Sequence, residues 1–253
     1  MAAQDDDATL REMKNNFAVT AYRYLREQPP WVNTPGSEVI HQLVLPRATY
    51  APWLSDAEFI DIYNRVIGNT LVDIYRCFEL WSLGKQMQGI EGDLLEVGVW
   101  RGGTGAVLAK SVLGSGKKVY LADTFKGVVK AGEQDTRYVG GEHADTSRPL
   151  VEALLNACEL DNATILEGIF PEDTAHQITG KIAMLHCDVD VYLSAKDIVE
   201  WTQPRLSPGG VIVFDDYGFN WCEGVTRLAN EYQNRPEFFF VHNLNGHAIL
   251  YKK

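Results

Sequence analysis

Pairs of aspartates follow two of the most apolar runs in the chain. Asp188 and Asp190 follow one run, and Asp215 and Asp216 follow the other. Residues two apart in extended backbone face the same way, so Asp188 and Asp190 should project together. If the two runs are neighbouring parallel strands, four carboxylates crowd one edge of a sheet, which is costly without a cation. The spacing therefore predicts a hard divalent ion with oxygen ligands, and Mg²⁺ suits it best.

This arrangement suggests a reaction at a hydroxyl group. An ion beside a substrate hydroxyl would lower its pKa, and a carboxylate that is not bound to the ion would take the proton. We predict Asp188, Asp215 and Asp216 as metal ligands and Asp190 as the general base. Geometry alone does not decide which of Asp188 and Asp190 is the ligand and which is the base. The alternative is that all four are solvated loop acids at strand ends.

A glycine pattern marks a second element that could bind a small molecule. Glu96, Gly98 and Gly102 form E-x-G-x-x-x-G between a short apolar run and a helical pattern, which predicts a strand, a tight turn and a helix start. A dinucleotide site with G-x-G-x-x-G would need glycine where Trp100 stands. The pattern resembles motif I of class I S-adenosylmethionine methyltransferases. The alternative is an ordinary glycine-rich turn between a strand and a helix.

Further candidate cofactor contacts stand at the ends of the predicted strands. Asp123 ends the strand after Glu96, where a carboxylate can accept both hydroxyls of an adenosine ribose. Its alternative role is to cap the segment that follows. The full set of predicted cofactor contacts is Glu96, Gly98, Trp100, Arg101, Gly102, Thr104, Asp123, Glu167, Gly168 and Asp188.

Short apolar runs alternate with helical patterns through the second part of the chain. Five such units and a closing hairpin around Asn243–Gly246 predict an α/β fold, the class I methyltransferase Rossmann-like seven-stranded sheet with an antiparallel last strand. The predicted strands are residues 93–99, 118–122, 163–167, 182–187, 211–214, 237–241 and 247–251. The predicted helices among them are residues 106–113, 149–158, 194–203 and 222–234, with a turn at 207–210. We assign residues 91–253 to the S-adenosylmethionine-binding domain.

The first part of the chain reads as an N-terminal helical cap and oligomer arm, residues 1–90. Ser55 with Glu58 three positions later predicts a capping box for a helix that ends near residue 67. A second helix is predicted from about residue 70 to Gly84 or Gly89. The weaker predictions are disorder over 1–9, a helix over 10–27, a Pro-rich connection over 28–36 and a short helix or extended arm over 39–45.

A long polar segment, residues 126–148, has no clear period. We predict that it forms a lid that selects the substrate, with Tyr138 and His143 as contacts. The alternative is a disordered surface insertion. Tyr192 and Tyr217 are the remaining candidate substrate contacts.

Composition limits the partners. The 253 residues carry a formal charge of −11 at pH 7, which argues against a nucleic-acid binder because such a protein needs a basic face. The four cysteines form no C-x-x-C pair, which argues against a disulfide framework or a zinc site and favours a reducing cytoplasm. The chain shows no signal-peptide pattern and no membrane-spanning run, so we expect a cytoplasmic protein without a membrane partner.

Four motifs together resemble the macrocin O-methyltransferase family, over about residues 60–251. They occupy residues 95–103, 123–127, 188–192 and 208–217. Members of this family methylate sugar hydroxyls on macrolide, aminocoumarin and related glycosylated natural products with S-adenosylmethionine and Mg²⁺. The chain departs from the family after Gly127, where members usually continue with Leu-Pro and this sequence has Val128-Val129.

The resemblance implies the same roles for the acids. By position it implies Asp188, Asp215 and Asp216 as the metal ligands and Asp190 as the base. It also implies Glu96, Gly98 and Asp123 as cofactor contacts. It also implies a multimer with the N-terminal segment near the active site.

The sequence therefore predicts an enzyme of antibiotic biosynthesis. We expect a Mg²⁺- and S-adenosylmethionine-dependent O-methyltransferase for a deoxysugar of a macrolide, aminocoumarin or enediyne glycoside, working as a homo-oligomer. The alternatives are a NAD-dependent oxidoreductase, which would need a Tyr-x-x-x-Lys or comparable pair, and a non-catalytic nucleoside-binding protein, which would have no use for the four clustered acids.

Overall fold

The computed structural model describes residues 9, 11–17, 19–21, 50–219 and 221–253. The chain forms two compact units, residues 1–52 and residues 53–253. In the first unit, the described residues 9, 11–17 and 19–21 are helical, within or beside the predicted helix over 10–27. Residue 9, which belongs to the segment predicted to be disordered, is helical. The other residues of that segment, and the predictions over 28–36 and 39–45, lie outside the described residues. Within the described residues no helix has both the length and the apolar character needed to cross a bilayer.

The second unit is built on one seven-stranded sheet. Its strands are β1 (Asp93–Val97), β2 (Val119–Asp123), β3 (Ala163–Glu167), β4 (Ile182–Cys187), β5 (Leu206–Phe214), β6 (Phe238–His242) and β7 (Ala248–Lys252). Their order in the sheet is β3-β2-β1-β4-β5-β7-β6. Strands β1 to β5 pair in parallel, whereas β7 is antiparallel to both β5 and β6. The predicted fold class is confirmed.

The strand order creates one switch point. From β1 the chain winds outward to β2 and β3, then returns to place β4 on the other side of β1. Ligands of open parallel sheets bind outside the carboxyl ends of strands at such a point. The register sets Val97 beside Cys187 and Cys187 beside Phe214, so the loops after β1, β4 and β5 emerge together.

Among the described residues of this unit, six α-helices accompany the strands. They are α1 (Ala57–Val66), α2 (Ile74–Met87), α3 (Gly103–Ser111), α4 (Arg148–Ala157), α5 (Tyr192–Thr202) and α6 (Glu223–Glu231). Helices α1 and α2 pack against α3 and belong to the same compact unit as the sheet. The role of residues 1–90 as an oligomer arm stays a prediction.

The start of α1 differs from the predicted one. Ser55 lies in a short 3-10 helix, Pro52–Ser55, and the N-cap is Asp56, whose carboxylate accepts the Phe59 amide at 3.0 Å. The same carboxylate accepts Trp81 Nε1 at 2.8 Å, which ties α1 to α2. The aspartate, and not the predicted Ser55, is therefore the capping residue.

Strand β5 is longer than predicted. The expected turn over 207–210 lies inside the strand, where the register shifts between Ile182 and Met184 of the neighbouring strand β4. Gly209 adopts a φ of +78° within this irregular stretch. Proline and glycine at residues 208–210 indicated irregular backbone, which was predicted to be a turn. The structure has an irregular, bulged stretch within a continuous strand instead.

Candidate functional site

A cavity of about 330 Å³ opens at the carboxyl ends of β1, β4 and β5. The four predicted aspartates, Asp188, Asp190, Asp215 and Asp216, all line it. The predicted cofactor contacts that line the same cavity are Gly98, Trp100, Thr104, Asp123, Gly168 and Asp188. The geometry therefore brings the acids and the glycine loop to one cavity.

Gly98 is fixed by the close approach of β4. Its φ is +91°, and a Cβ built there would lie 1.6 Å from the carbonyl oxygen of Asp188. No side chain larger than hydrogen fits this contact. The glycine thus lets the loop after β1 lie directly against the first aspartate of the acid cluster.

Asp123 holds the glycine loop through its backbone. Its Oδ2 accepts the Val99 amide at 2.7 Å and the Trp100 amide at 2.9 Å, and its Oδ1 accepts the Phe125 amide at 2.7 Å. A carboxylate has about four lone-pair positions, so about one remains. The binding of ribose hydroxyls by Asp123 stays a prediction, and the three backbone amides already compete for its carboxylate.

Residues 126–148 form part of the cavity wall. Gly127, Val128, Val129, Tyr138 and His143 line the cavity. The segment is held from both sides of the site. Asp145 accepts Trp100 Nε1 at 2.9 Å and Arg101 Nη2 at 2.6 Å, and Lys130 donates to Asp197 at 2.6 Å.

Asp188, Asp215 and Asp216 converge closely. One carboxylate oxygen of each lies within 4.8 Å of the others. Burial raises the pKa of Asp188 well above its usual range, and repulsion from Asp215 and Asp216 adds to it. Burial and repulsion from Asp215 likewise raise the pKa of Asp216. The cluster therefore carries more buried negative charge than its surroundings balance.

Arg76 is a site residue that the sequence analysis missed. Its Nη1 donates to Oδ1 of Asp215 at 2.6 Å and to Oδ1 of Asp216 at 3.2 Å, and its Nε donates to Asp73. The guanidinium also lies 4.8 Å from the ring centre of Phe219. The available signal was a basic residue in the first turn of the predicted helix, three positions after Asp73.

Asp190 sits in a constrained position beside the cluster. Its φ is +62°, which is unusual for a residue other than glycine. The Tyr138 hydroxyl donates to its Oδ1 at 2.9 Å, and burial followed by repulsion from Asp190 raises the pKa of Tyr138. The Cys222 thiol lies 3.8 Å from the same oxygen. Asp190 is thus oriented by a tyrosine of the long segment.

His186 and His247 lie close to Asp215, and the sequence did not predict either as a site residue. His247 Nε2 lies 3.0 Å from Oδ1 of Asp215, and its Nδ1 lies 2.6 Å from Oε2 of Glu79. Burial opposes protonation, but contacts with Asp215 and Glu79 raise the pKa of His247 to about 9. These interactions and the contact with Arg76 outweigh burial and lower the pKa of Asp215. His247 directly follows a turn, and nothing in that local pattern signals a buried histidine.

Several predicted cofactor contacts lie away from the cavity wall. Glu96 is fully buried, and its Oε1 lies 2.9 Å from His186 Nδ1. Arg101 is paired with Asp145, and Gly102 is the left-handed N-cap of α3. The carboxylate of Glu167 lies 3.9 Å from Arg148 on the surface.

Two predicted substrate contacts also lie away from the cavity wall. Tyr192 is buried and its hydroxyl donates to Glu231, and the Tyr217 hydroxyl donates to Asn230. The structure corrects their assignment, because each hydroxyl is committed to a partner on α6 instead of the cavity.

Comparison with solved structures supports the fold. The O-methyltransferase NovP superposes with a TM-score of 0.64 at 24% identity, covering 73% of this chain and 82% of NovP. At this level of identity the likeness concerns the fold.

Characterised relatives share part of the sequence. A tetracenomycin-C-derivative 4'-O-methyltransferase from Streptomyces olivaceus is 32% identical over 58% of this chain and 60% of its own length. Mycinamicin III 3''-O-methyltransferase from Micromonospora griseorubida is 30% identical over 58% of this chain and 62% of its own length. The matched region thus spans about three fifths of each relative.

The family assignment rests on a longer match. The model of the macrocin O-methyltransferase (TylF) family matches residues 68–249, which contain strands β1 to β6, the start of β7, the glycine loop and the four aspartates. This chain therefore belongs to the macrocin O-methyltransferase family.

Proposed function

We propose that this protein transfers a methyl group from S-adenosylmethionine to a hydroxyl of a sugar in a glycosylated natural product, and that it does so with Mg²⁺. The single observation that carries the proposal is the convergence of the glycine loop and four aspartates on one cavity. Family membership supports the reaction class.

The donor set of the acid cluster fits a hard divalent cation. Asp188, Asp215 and Asp216 offer only carboxylate oxygens, the ligands that Mg²⁺ prefers. Burial and then mutual repulsion raise the pKa values of Asp188 and Asp216, so their ionised forms are disfavoured without a cation, and a bound cation would stabilise them. When bound, Mg²⁺ would lower the pKa of a substrate hydroxyl and orient its oxygen.

Asp190 is the proposed general base. The Tyr138 hydroxyl donates to Oδ1, which orients the carboxylate that would accept the proton from the substrate. Both side chains face the cavity. The proton of the substrate hydroxyl passes to Asp190 as its oxygen becomes the nucleophile.

The proposed cofactor site lies along the glycine loop. Gly98, Trp100, Thr104 and Asp123 form this wall, and the loop closes against Asp188. Methyl transfer proceeds in line between donor sulfur and acceptor oxygen, so the protein contributes mainly position and charge. The residues of this loop would hold the cofactor, which would supply the methyl group when bound.

The substrate side of the cavity has apolar walls. Leu71, Val128, Phe219 and Trp221 line it, and they would suit the apolar aglycone of a glycoside. The matched relatives are described by their names as methyltransferases of a rhamnosyl tetracenomycin derivative and of mycinamicin III. We extend only the sugar-hydroxyl class to this chain, in a homo-oligomeric, cytoplasmic enzyme.

Calorimetry can separate this proposal from its alternatives. We expect S-adenosylhomocysteine to bind and NAD not to bind, with metal binding lost in Asp216→Asn. The exposed Asp61→Asn is the matched control, because its carboxylate pairs only with Arg65 on the surface of α1. Binding of NAD without S-adenosylhomocysteine would favour an oxidoreductase.

Activity then tests the substrate class. Incubation with S-adenosylmethionine and a panel of glycosides should give a methylated sugar, should stop with EDTA and should resume with Mg²⁺. Cofactor binding without turnover on any glycoside or nucleotide sugar would favour a binding protein.

A further inference from the structure

Two buried glutamate–histidine pairs flank Asp215 beneath the cavity. His186 Nδ1 lies 2.9 Å from Glu96, and His247 Nδ1 lies 2.6 Å from Glu79. Both imidazole rings are fully buried. A carboxylate on Nδ1 holds the proton of a neutral imidazole there and turns the Nε2 lone pair to the opposite side.

The two Nε2 atoms lack hydrogen-bond partners among the described residues. Both are buried, although His247 Nε2 lies 3.0 Å from Oδ1 of Asp215, a contact without hydrogen-bond geometry. One donor atom from each of His186, His247 and Asp215 lies within 4.8 Å of the others. Each Nδ1 is paired with its glutamate, so Nε2 is the nitrogen that each ring has free for a ligand.

We propose that His186, His247 and Asp215 bind a transition-metal ion, with Zn²⁺ as the best match, and that Glu96 and Glu79 orient the two rings. Two imidazole nitrogens with one carboxylate suit Zn²⁺, Co²⁺ or Fe²⁺ and do not suit Mg²⁺. The site differs from the acid cluster in its donor chemistry, while Asp215 belongs to both. This inference does not depend on the proposed methyl transfer.

The charge around the two rings favours such an ion. Glu79, Glu96 and Asp215 bring three carboxylates, and Arg76 contacts only Asp215 among them. A divalent ion would balance the negative charge of the carboxylates that Arg76 does not contact. Asp215 lines the cavity, which gives the ion a route to the site.

The proposed ion would join three strands below the acid cluster. His186 lies on β4, Asp215 follows β5 and His247 precedes β7. The ion would therefore fix the position of Asp215, a residue that also belongs to the acid cluster. The alternatives to a metal ion are protons on the two Nε2 atoms or a buried water between the rings. The experiment below distinguishes the metal ion from these alternatives.

Cobalt spectroscopy tests the site in the full-length protein. The protein is stripped with a chelator, saturated with Mg²⁺ and titrated with Co²⁺. We expect one equivalent of Co²⁺ to give the intense visible bands of a four-coordinate ion with nitrogen ligands. His186→Gln and His247→Gln should lose these bands. Asp188→Asn is the control, because Asp188 belongs to the acid cluster and is not one of the three proposed ligands, so this variant should keep the bands.

Wild-type measurements keep the proposal falsifiable if a histidine variant does not fold. X-ray absorption of the bound Co²⁺ should show two imidazole ligands. Absence of Co²⁺ binding in the presence of Mg²⁺, or scattering from oxygen alone, would overturn the proposal in favour of protons or water at the two rings. Bands that persist in both folded histidine variants would overturn it as well. Methyl transfer with Mg²⁺ is assayed separately, so either proposal can fail alone.

Discussion

Arg76 Nη1 lies 2.6 Å from Oδ1 of Asp215, and both side chains are almost fully buried. The arginine comes from α2, whereas the aspartate follows β5 in the middle of the sheet. A helix outside the sheet thus supplies a positive charge to the acid cluster. Breaking a buried ion pair by removing one partner is costly, because the other charge stays buried.

Arg76→Gln should make the protein less stable and more responsive to divalent ions. We expect a loss of about 3 kcal/mol in the free energy of unfolding without Mg²⁺, since removal of one partner of a buried pair costs roughly 3–5 kcal/mol. Saturating Mg²⁺ should raise the melting temperature more in the variant than in the wild type. Thermal unfolding with and without Mg²⁺ measures both effects.

Arg65→Gln is the matched control for this experiment. Arg65 pairs with Asp61 on the exposed face of α1, and such pairs contribute about 0–1 kcal/mol. The Mg²⁺-induced rise in the melting temperature of Arg65→Gln should equal that of the wild type. An Arg76 variant as stable as the wild type would show that this arginine does not balance the cluster.

The strands and the acids could be predicted because their signals are local. Strands β3 and β4 occupy the predicted residues, since each is a short apolar run bounded by polar or glycine residues. Acids at the ends of neighbouring parallel strands must meet, so Asp188 and Asp215 could be placed together from strand order alone.

The missed residues reach the site by long-range packing. Arg76 contacts residues 139 and 140 positions away, and Glu79 contacts His247 across 168 positions. No periodicity in one segment records which distant side chain it meets. Glu96 is the opposite case, a residue that a local motif predicted as a cofactor contact. Its side chain is paired with the buried His186 and does not line the cavity.

Asp190→Asn should abolish most turnover and leave cofactor binding intact. Asparagine tolerates the positive φ of this position, so the backbone need not change. Loss of a general base typically costs about 10²–10⁴-fold in rate. Single-turnover kinetics and calorimetry with S-adenosylhomocysteine measure the two properties. A variant with half of the wild-type rate would remove Asp190 from the role of base, while the exposed Asp61→Asn should behave as the wild type.

Tyr138→Phe should reduce the rate modestly by releasing Asp190. The hydroxyl donates one hydrogen bond to Oδ1 of Asp190, and such a bond contributes about 0.5–1.5 kcal/mol, or roughly 2–10-fold in rate. Because substitution of the tyrosine also frees a lone pair on the base, the pH profile of kcat should shift. Tyr63→Phe on α1, outside the cavity wall, should change neither property. An unchanged pH profile in Tyr138→Phe would argue against this orienting role.

Gly98→Ala should disrupt both stability and cofactor binding. Alanine at a φ of +91° costs about 1–3 kcal/mol by itself, and its Cβ would also displace the Asp188 carbonyl. Gly114→Ala separates the two effects, since Gly114 has a φ of +80° and no neighbour within 4 Å of a built Cβ. Urea unfolding should show a clearly larger loss for Gly98→Ala, and calorimetry should show weakened binding of S-adenosylhomocysteine in that variant alone. Equal losses in the two variants would mean that backbone strain, and not the contact with Asp188, requires glycine after β1.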